Sequence, residues 1–375
     1  MDIYTLREQC IFCNSNIDKT YFEEDKYLYI SSNICNEITN TKIKIPYNIL
    51  VCMSCGCYQN KYLGNLDMVY NDNHNNVVIS DIWIKHYDEF YNFIMNNNII
   101  HEANTILEIG AGNNYIVNSF LNNNYKNYTI LEPVITNKLE NVKYVSGWLE
   151  NNDIVNEKYE LTILSHVFEH LYRPNELFKV NTKYIAISIP NIPKYIEQFI
   201  LNFLNIEHTF HFEENHITTF FNNHKYKLVD KNYYSDHSIF MLFEMNELLL
   251  PISYNDKIIP SIHRKFDIYF NKIYTLIHNI NDYVNSTKKK FAIFPANMYI
   301  QYLISMGLDV KNISYFYDNN KNKLDKYLYG TDILCKNLDY FVSNNEYEII
   351  LLGFLYNDEI KTILEKNGIR YHLPY

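Results

Sequence analysis

The chain has 375 residues, a formal net charge of −10 and 47% hydrophobic residues. This length exceeds what one ordinary hydrophobic core holds, so we expect two or three domains. The acidic balance, broken only by the basic triplet 288–290, argues against a nucleic-acid groove. We expect neither a transmembrane helix nor a secretion signal. A cytoplasmic protein without nucleic-acid or membrane partners is the resulting prediction.

Two cysteine pairs of the form C-x2-C lie near the start of the chain, Cys10 with Cys13 and Cys52 with Cys55. Each pair puts two thiolates on one tight turn, and two such turns complete a tetrahedral shell of four sulfurs that suits Zn²⁺. Four thiolates leave no open position, so the predicted zinc is structural. We expect reduced thiolates rather than disulfides, with Cys57 as a substitute ligand.

The predicted elements follow in chain order. Residues 43–49 alternate as a weak strand does, a polar turn at 71–76 marks a domain boundary, and 82–95 has helical periodicity. An α/β pattern then begins, with strands at 105–109, 128–131, 142–145, 161–164 and 184–189 and a helix at 115–121. Such alternation predicts a parallel sheet with right-handed crossovers.

A second α/β pattern follows a proline-containing linker at 248–260. It has predicted helices at 266–284 and 298–306 and predicted strands at 291–294, 313–317 and 348–353. Together with the cysteine-containing start, these patterns predict three domains, at residues 1–75, 76–252 and 253–375.

A glycine turn directly follows the first strand of the first α/β pattern. It includes Glu108, Gly110, Ala111 and Gly112, and its glycines let the backbone approach a ligand closely. The third glycine of a dinucleotide site is missing, which argues against a dehydrogenase. A nucleoside cofactor without a pyrophosphate, such as S-adenosylmethionine, remains compatible. Glu132, at the tip of the next strand, can accept hydrogen bonds from both ribose hydroxyls.

Candidate cofactor-binding residues (Ser165 and His166) and candidate catalytic residues (His170 and His216) fall in two segments. Ser165, His166 and His170 follow the fourth strand, at the sheet edge that faces a cofactor. His166 is expected nearer the cofactor and His170 nearer the substrate, although a capping or packing role is an equal alternative for either. The stretch 207–216 holds three His and three Glu, but its spacing matches no standard metal site. A general base, His216, is therefore favoured there over a second metal.

The order of these blocks resembles the zinc-containing, S-adenosylmethionine-dependent sugar methyltransferases, typified by C-methyltransferases of deoxysugar biosynthesis. The similar blocks are the two cysteine pairs, Leu107–Gly112, Val167–His170, and the C-terminal segments 315–321, 330–331 and 358–360. The resemblance implies a central class I methyltransferase Rossmann-like sheet at 76–252. A small zinc-binding domain would precede it at 1–75, and a Rossmann-like α/β domain would follow it at 253–375.

The same resemblance implies a reaction. A dTDP- or UDP-linked 4-keto sugar would lose the proton next to its ketone, and the resulting carbanion would attack the sulfonium methyl group. Asn215-His216-Ile217 is similar to the family's base motif, which implies His216 as the base, with Asn215 in place of the family's Glu; His170 would be a second active-site histidine. A monomer or homodimer is expected. Methylation of a sugar hydroxyl and a non-catalytic zinc and Rossmann-like scaffold are the alternatives.

Overall fold

The computed structural model describes residues 3–17, 19–29, 34–35, 43–70, 81–97, 103–135, 137–151, 157–254, 258–353 and 357–374. The strands are β1 Tyr4–Leu6, β2 Lys19–Leu28, β3 Ile34–Cys35, β4 Lys44–Val51, β5 Tyr58–Asn60, β6 Tyr62–Gly64, β7 Thr105–Ile109, β8 Asn127–Glu132, β9 Val142–Ser146, β10 Lys158–Ser165, β11 Asn181–Pro190, β12 Phe210–His211, β13 Tyr226–Tyr234, β14 Ser238–Met245, β15 Lys290–Phe294, β16 Ile313–Tyr317, β17 Tyr327–Leu328, β18 Cys335–Lys336, β19 Tyr347–Leu351 and β20 Arg370–His372. The α-helices are α1 Leu66–Val69, α2 Asp81–Met95, α3 Tyr115–Asn122, α4 Ile192–Glu197, α5 Glu214–Asn223, α6 Ile258–Asn285, α7 Met298–Ser305, α8 Leu338–Ser343 and α9 Asn357–Lys366.

The chain divides into two compact units. The first comprises Met1–Tyr21, Ile49–Tyr195 and Glu207–Ile259, and the second comprises Phe22–Asn48, Ile196–Ile206 and Pro260–Tyr375. The cysteine pairs therefore share a unit with the first α/β pattern. The predicted three-domain boundaries stay a prediction.

The first unit is built on a seven-stranded sheet in the order β13-β14-β11-β10-β7-β8-β9. Strands β7, β8, β9, β10 and β11 are parallel to one another, whereas β14 is antiparallel to both of its neighbours, β11 and β13. Counted within this sheet alone, the order is 6-7-5-4-1-2-3 with the seventh strand reversed, which is the class I methyltransferase arrangement. The predicted fold class is confirmed, and the antiparallel hairpin is an addition that the sequence did not predict.

Both faces of this sheet are covered, and successive residues of β7 point to opposite faces. Ile106 packs into a cluster with Phe90 of α2 and Phe120 of α3. Leu107 joins a second cluster that includes Phe220 of α5. Cys10, Cys52 and Cys55 belong to this cluster, and Cys13 packs against it. Burying one such side chain contributes about 1.5–3 kcal/mol, so the two faces hold the strands in a single register.

Short strands join the cysteine segment to the rest of the first unit. β1 pairs with β6, and β5 pairs both with β12 and with the Ile49–Val51 end of β4. The β5–β12 pairing places residues 58–60 beside residues 209–211. The amide N–H of Asn60 also donates to the Thr209 carbonyl at 2.9 Å. The segment after residue 206 is thereby fixed beside the cysteine pairs.

The second unit has a five-stranded parallel sheet in the order β18-β16-β15-β19-β20. Its core includes Ala292, Tyr317, Ile349 and Leu364, from β15, β16, β19 and α9. This confirms the predicted Rossmann-like α/β character of the C-terminal half. No helix in the described part of the chain combines the length and apolar character that a membrane span requires.

Candidate functional site

A cavity opens at the carboxyl edge of β7, β8 and β10 in the first unit. Its volume is about 800 Å³, including the space that opens to solvent. Its lining consists of Leu66, Tyr70, Ile109, Gly110, Gly112, Leu131, Glu132, Pro133, Gly147, Trp148, Leu149, Glu150, Ser165, His166, Val167, His170 and Leu171. Ligands of open α/β sheets bind at this edge, and the cavity has the size of a small-molecule site.

The glycine turn forms one wall of this cavity. Gly110 has a φ of +72° and its N–H donates to the Leu131 carbonyl at 2.9 Å. A β-carbon built on Gly110 would lie 2.5 Å from Cγ2 of Val167, so both the backbone conformation and the space require glycine. Gly112 has a φ of +52°, and no atom lies within 4 Å of the β-carbon it lacks.

Glu132 lies where the sequence placed it, at the end of β8 and in the cavity wall. Its Oε2 accepts a hydrogen bond from the N–H of Gly112 at 3.1 Å, which orients the carboxylate across the glycine turn. Such a carboxylate at the tip of the second strand is suited to accept hydrogen bonds from the two hydroxyls of a ribose.

Glu108 and Ala111 were predicted to contact the cofactor, but neither lines the cavity. Glu108 is buried, and the Tyr128 hydroxyl donates to its Oε2 at 2.8 Å. Burial raises the pKa of Glu108 to about 7, with the Tyr128 hydrogen bond acting in the opposite direction. Glu108 thus supports β7 from within the core, because alternate residues of a strand face opposite sides.

The raised pKa of Glu108 predicts a pH-dependent stability. An unfolded Glu titrates near 4.5, so the folded protein keeps this proton to higher pH, and the resulting stability is lost as pH rises through about 7. Between pH 5 and 8 we expect the wild-type free energy of unfolding to fall by on the order of 3 kcal/mol because of this group. Glu108→Gln, which keeps an acceptor for Tyr128, should not show this fall. Urea unfolding at several pH values measures this. Identical pH slopes for wild type, Glu108→Gln and the exposed-site control Glu140→Gln would contradict the prediction.

His166 lies at the cavity wall directly after β10. Its φ of +52° is in the left-handed region, which a residue with a side chain rarely adopts and which is often found at functional sites. Its Nε2 is hydrogen-bonded to the Ser238 hydroxyl at 2.8 Å, and its Nδ1 lies 3.2 Å from Oε1 of Glu169. Nε2 is thus hydrogen-bonded, whereas Nδ1 only approaches the Glu169 carboxylate and forms no hydrogen bond with it. Ser165, beside it, lines the same wall.

His170 also lies at the cavity wall, as predicted. Its Nδ1 is hydrogen-bonded to the Tyr70 hydroxyl at 2.9 Å and lies 3.8 Å from Oε2 of Glu207. Tyr70 lines the cavity as well. These contacts hold the ring through Nδ1 and leave Nε2 as the atom that points elsewhere.

His216 and Asn215 do not lie at the cavity. The His216 side chain is 1% exposed: its Nδ1 accepts from the Glu213 N–H at 3.0 Å, and its Nε2 is 2.7 Å from the Cys55 carbonyl. Because Nδ1 is an acceptor, Nε2 carries the proton and donates it. The geometry gives His216 the role of a link between the first turn of α5 and the second cysteine turn, in place of the base role. Asn215 is exposed on the same helix.

The four cysteines of the two pairs converge. Sγ of Cys10 lies 3.5 Å from Sγ of Cys55, and Sγ of Cys13 lies 3.4 Å from Sγ of Cys52. All four sulfurs lie within 4.8 Å of one another. Zn–S bonds of about 2.3 Å at tetrahedral angles place sulfurs roughly 3.8 Å apart, so the four thiols fit one zinc ion.

The two cysteine turns have the same backbone design. In each, the residue after the second cysteine has a left-handed φ, +56° at Asn14 and +80° at Gly56, and its N–H donates to the carbonyl of the first cysteine. The amide of Gln59 donates to Sγ of Cys10 at 3.1 Å. Cys57 is no part of the cluster, since its thiol donates to the His211 carbonyl at 3.4 Å.

The structure brings together two further groups of histidines that the sequence did not predict. Glu169, His170 and His208 bring one ligand atom each within 4.8 Å of one another, and so do His86, His166 and His237. Glu169 precedes His170 in a segment that the sequence had singled out. His208 and His237 come from elsewhere in the chain, and no local pattern joins them to these groups.

Comparison with known proteins gives structural likenesses only. No family model matches the sequence, and no curated protein matches it. The N-terminal domain of EvdMO1 with SAH bound is 11% identical over 48% of this chain and 85% of its own, with a TM-score of 0.32. The methyltransferase domain of bacterial CtHen1 is 12% identical (44% and 100%, TM-score 0.36), and a putative methyltransferase from Bacillus halodurans is 10% identical (43% and 99%, TM-score 0.33). Likenesses this weak add no argument to the strand order and the site geometry.

Proposed function

We propose that this chain is an S-adenosylmethionine-dependent methyltransferase. The observation that supports this most directly is the joining of the glycine turn and Glu132 by a hydrogen bond at the rim of one cavity. Glu132 would hold the ribose hydroxyls, and the backbone at Gly110 and Gly112 would pass close to the amino-acid part of the cofactor. The cofactor, when bound, supplies an electrophilic methyl group.

We propose a nucleotide-linked sugar as the acceptor, methylated at the carbon next to a keto group. The order of the cysteine, glycine-turn and C-terminal blocks supports the sugar nucleotide, and His170 marks the wall where the acceptor would lie. Methylation of a sugar hydroxyl is the second candidate. Both reactions need a base, so the position of His216 outside the cavity removes the predicted base from each and does not separate them. Deuterium exchange at the carbon next to the ketone separates the two.

We also propose that Cys10, Cys13, Cys52 and Cys55 hold a structural Zn²⁺. The convergence of their sulfurs supports the ion, and the contact from Gln59 to Cys10 supplies the outer hydrogen bond that thiolate ligands commonly receive. The site has no open position for chemistry.

The cofactor proposal is tested by calorimetric titration with S-adenosylhomocysteine. Wild type is expected to bind it, and Glu132→Ala to bind it about 100-fold more weakly, since two hydrogen bonds to a charged group are lost. Glu140→Ala, at an exposed carboxylate away from the cavity, is the control and should bind as wild type does. If folded, zinc-containing wild type fails to bind, the proposal is overturned and a scaffold role replaces it.

A further inference from the structure

We propose that Glu169, His170 and His208 form a second metal site, which binds one divalent first-row transition-metal ion beside the cavity. Two imidazoles and one carboxylate are ligands that such ions accept, and a set of three leaves coordination positions open. The sequence favoured a base over a metal in the segment after residue 206. The structure changes that preference by bringing His208 to the segment that follows β10.

The fold holds these three side chains together. The N–H of Thr209 donates to the carbonyl of Glu169 at 3.0 Å, which ties the His208 segment to the segment after β10. The ring centroids of His170 and His208 are 5.2 Å apart. One ligand atom from each of the three residues lies within 4.8 Å of the others. The backbone therefore supplies a set of donors before any ion is bound.

Burial without hydrogen bonds is the second observation. The side chain of Glu169 is 1% exposed, yet neither of its carboxylate oxygens has a hydrogen-bond partner in the described part of the chain; the Nδ1 of His166 approaches it at 3.2 Å. His208 is 5% exposed, and its buried Nδ1 likewise has no such partner there. Buried polar atoms are rarely left this way, because each costs free energy unless something satisfies it. A bound cation satisfies both groups.

The surroundings of His170 match those of a metal ligand. Its Nδ1 is occupied by the Tyr70 hydroxyl, which leaves Nε2 to coordinate. A ligating histidine usually has such a partner on its other nitrogen, because that contact fixes the ring. His170 and Tyr70 line the cavity and Glu169 and His208 do not, so an ion held by this group would lie in the cavity wall, and we infer that its open positions reach the cavity.

The group formed by His86, His166 and His237 is a weaker candidate for a metal site. In that group, Nε2 of His86, Nε2 of His166 and Nδ1 of His237 are each hydrogen-bonded to a serine hydroxyl. Their rings also pack on the Trp83 ring at centroid distances of 4.9–5.0 Å. Nδ1 of His86 is also buried without a hydrogen-bond partner in the described part of the chain, but a serine hydroxyl occupies one nitrogen of every ring, and the group includes no carboxylate.

The consequence for the acceptor rests on the proposed methyltransferase function. An ion with open positions at the cavity would bind the acceptor through oxygen, either a keto oxygen or a hydroxyl of the sugar. A Lewis acid at that oxygen makes an attached hydroxyl, or the carbon next to a ketone, more acidic. The ion would thus lower the pKa of the departing proton, and a hydroxide ion on one of its open positions would accept that proton to become water, in a cavity that His216 does not reach.

The test measures metal directly, on the zinc-containing full chain. Wild type is expected to bind one Mn²⁺, followed by electron paramagnetic resonance and calorimetry, or to retain a second metal from expression, detected by mass spectrometry. The four thiolates do not interfere, since sulfur ligands select zinc over Mn²⁺. Glu169→Gln and His208→Gln should each weaken the binding of this second metal at least about tenfold. His211→Gln, at a buried histidine outside the group, is the matched control and should keep it.

The outcomes separate this inference from the proposed function. A second metal held equally by wild type, Glu169→Gln and His208→Gln would overturn the site, as would its absence from folded wild type. Binding of S-adenosylhomocysteine without a second metal would leave the methyltransferase proposal standing alone. A second metal lost in both variants, without cofactor binding, would uphold the site and overturn its proposed role. Thermal unfolding of each variant shows whether a loss of the second metal reflects misfolding. Because the two variants change different side chains, a single cause of misfolding does not account for a loss in both.

Discussion

Replacing Cys55 with serine is expected to abolish zinc binding and to unfold the first compact unit. Cys55 is 2% exposed, its sulfur lies 3.5 Å from that of Cys10, and its carbonyl accepts from His216. A hydroxyl is a poor substitute for a thiolate on zinc. Structural zinc contributes an apparent 10–16 kcal/mol to folding, about as much as or more than the 5–15 kcal/mol net stability of a whole protein. Zinc analysis and circular dichroism on heating measure both effects.

Cys57→Ser is the matched control for this variant. Cys57 is also buried and lies two residues away, but its thiol donates to the His211 carbonyl instead of facing the other sulfurs. We expect it to keep zinc and to lose at most about 2 kcal/mol of stability, since a hydroxyl can replace that donor. Normal melting of Cys55→Ser with zinc absent would contradict the structural role. Equal zinc loss in both variants would make Cys57 a ligand.

The part of the fold that the sequence predicts is the part whose strands are buried on both faces. Strands of this kind are continuous apolar runs, so β7 and β8 were predicted to within one residue of their bounds, and the strand predicted at 161–164 lies within β10 but lacks its start and its last residue. β14 was missed although it is a buried, largely apolar strand. β13 was missed because it lies at the sheet edge and most of its residues are exposed. Without an apolar run, an edge strand has little signal that distinguishes it from a polar loop.

The part of the site that the sequence predicts is set by position relative to strand ends. Gly110, Glu132 and His170 each follow a parallel strand, and parallel strands end at one edge of the sheet. The contact between Glu169 and His208 could not be predicted, since it depends on the pairing of β5 with β12 and on the Thr209 hydrogen bond. Local motifs do not encode contacts between distant segments.

The case of His216 shows why a motif alone does not give a role. Its neighbours along the chain resemble the base motif of a known family, apart from Asn215 in place of Glu, but its role depends on what its two nitrogens contact. Those contacts are the first turn of its own helix and the carbonyl of Cys55. The same ring stacks on Phe12, at the tip of the first cysteine turn, with centroids 5.7 Å apart. A histidine beside the four cysteines thus joins two segments of the unit that holds the cavity.

Replacing Gly110 with alanine is expected to weaken binding of S-adenosylhomocysteine about 100-fold. A φ of +72° costs alanine about 1–2 kcal/mol, and the added methyl group would lie 2.5 Å from Cγ2 of Val167. Separating these groups costs about a further 1–3 kcal/mol. The turn of the variant relieves this strain by moving away from the cavity in the free protein, so binding has to restore the strained position and is weakened by a similar free energy. A loss of about 2.7 kcal/mol in binding is the 100-fold change that calorimetry would measure.

Two companion variants divide this effect into its causes. At Gly112 the φ is +52°, in the left-handed region, but no atom lies within 4 Å of the methyl group that alanine would add. Gly112→Ala therefore introduces backbone strain without a clash and should weaken binding of S-adenosylhomocysteine about tenfold. Gly110→Ala combined with Val167→Ala removes the methyl group that is approached at 2.5 Å, and should recover affinity to that of Gly112→Ala. If the double variant binds no better than Gly110→Ala alone, with Val167→Ala itself close to wild type, the contact with Val167 is not what requires glycine. If all the variants bind as wild type does, the cofactor does not approach this turn, and the cavity serves another ligand.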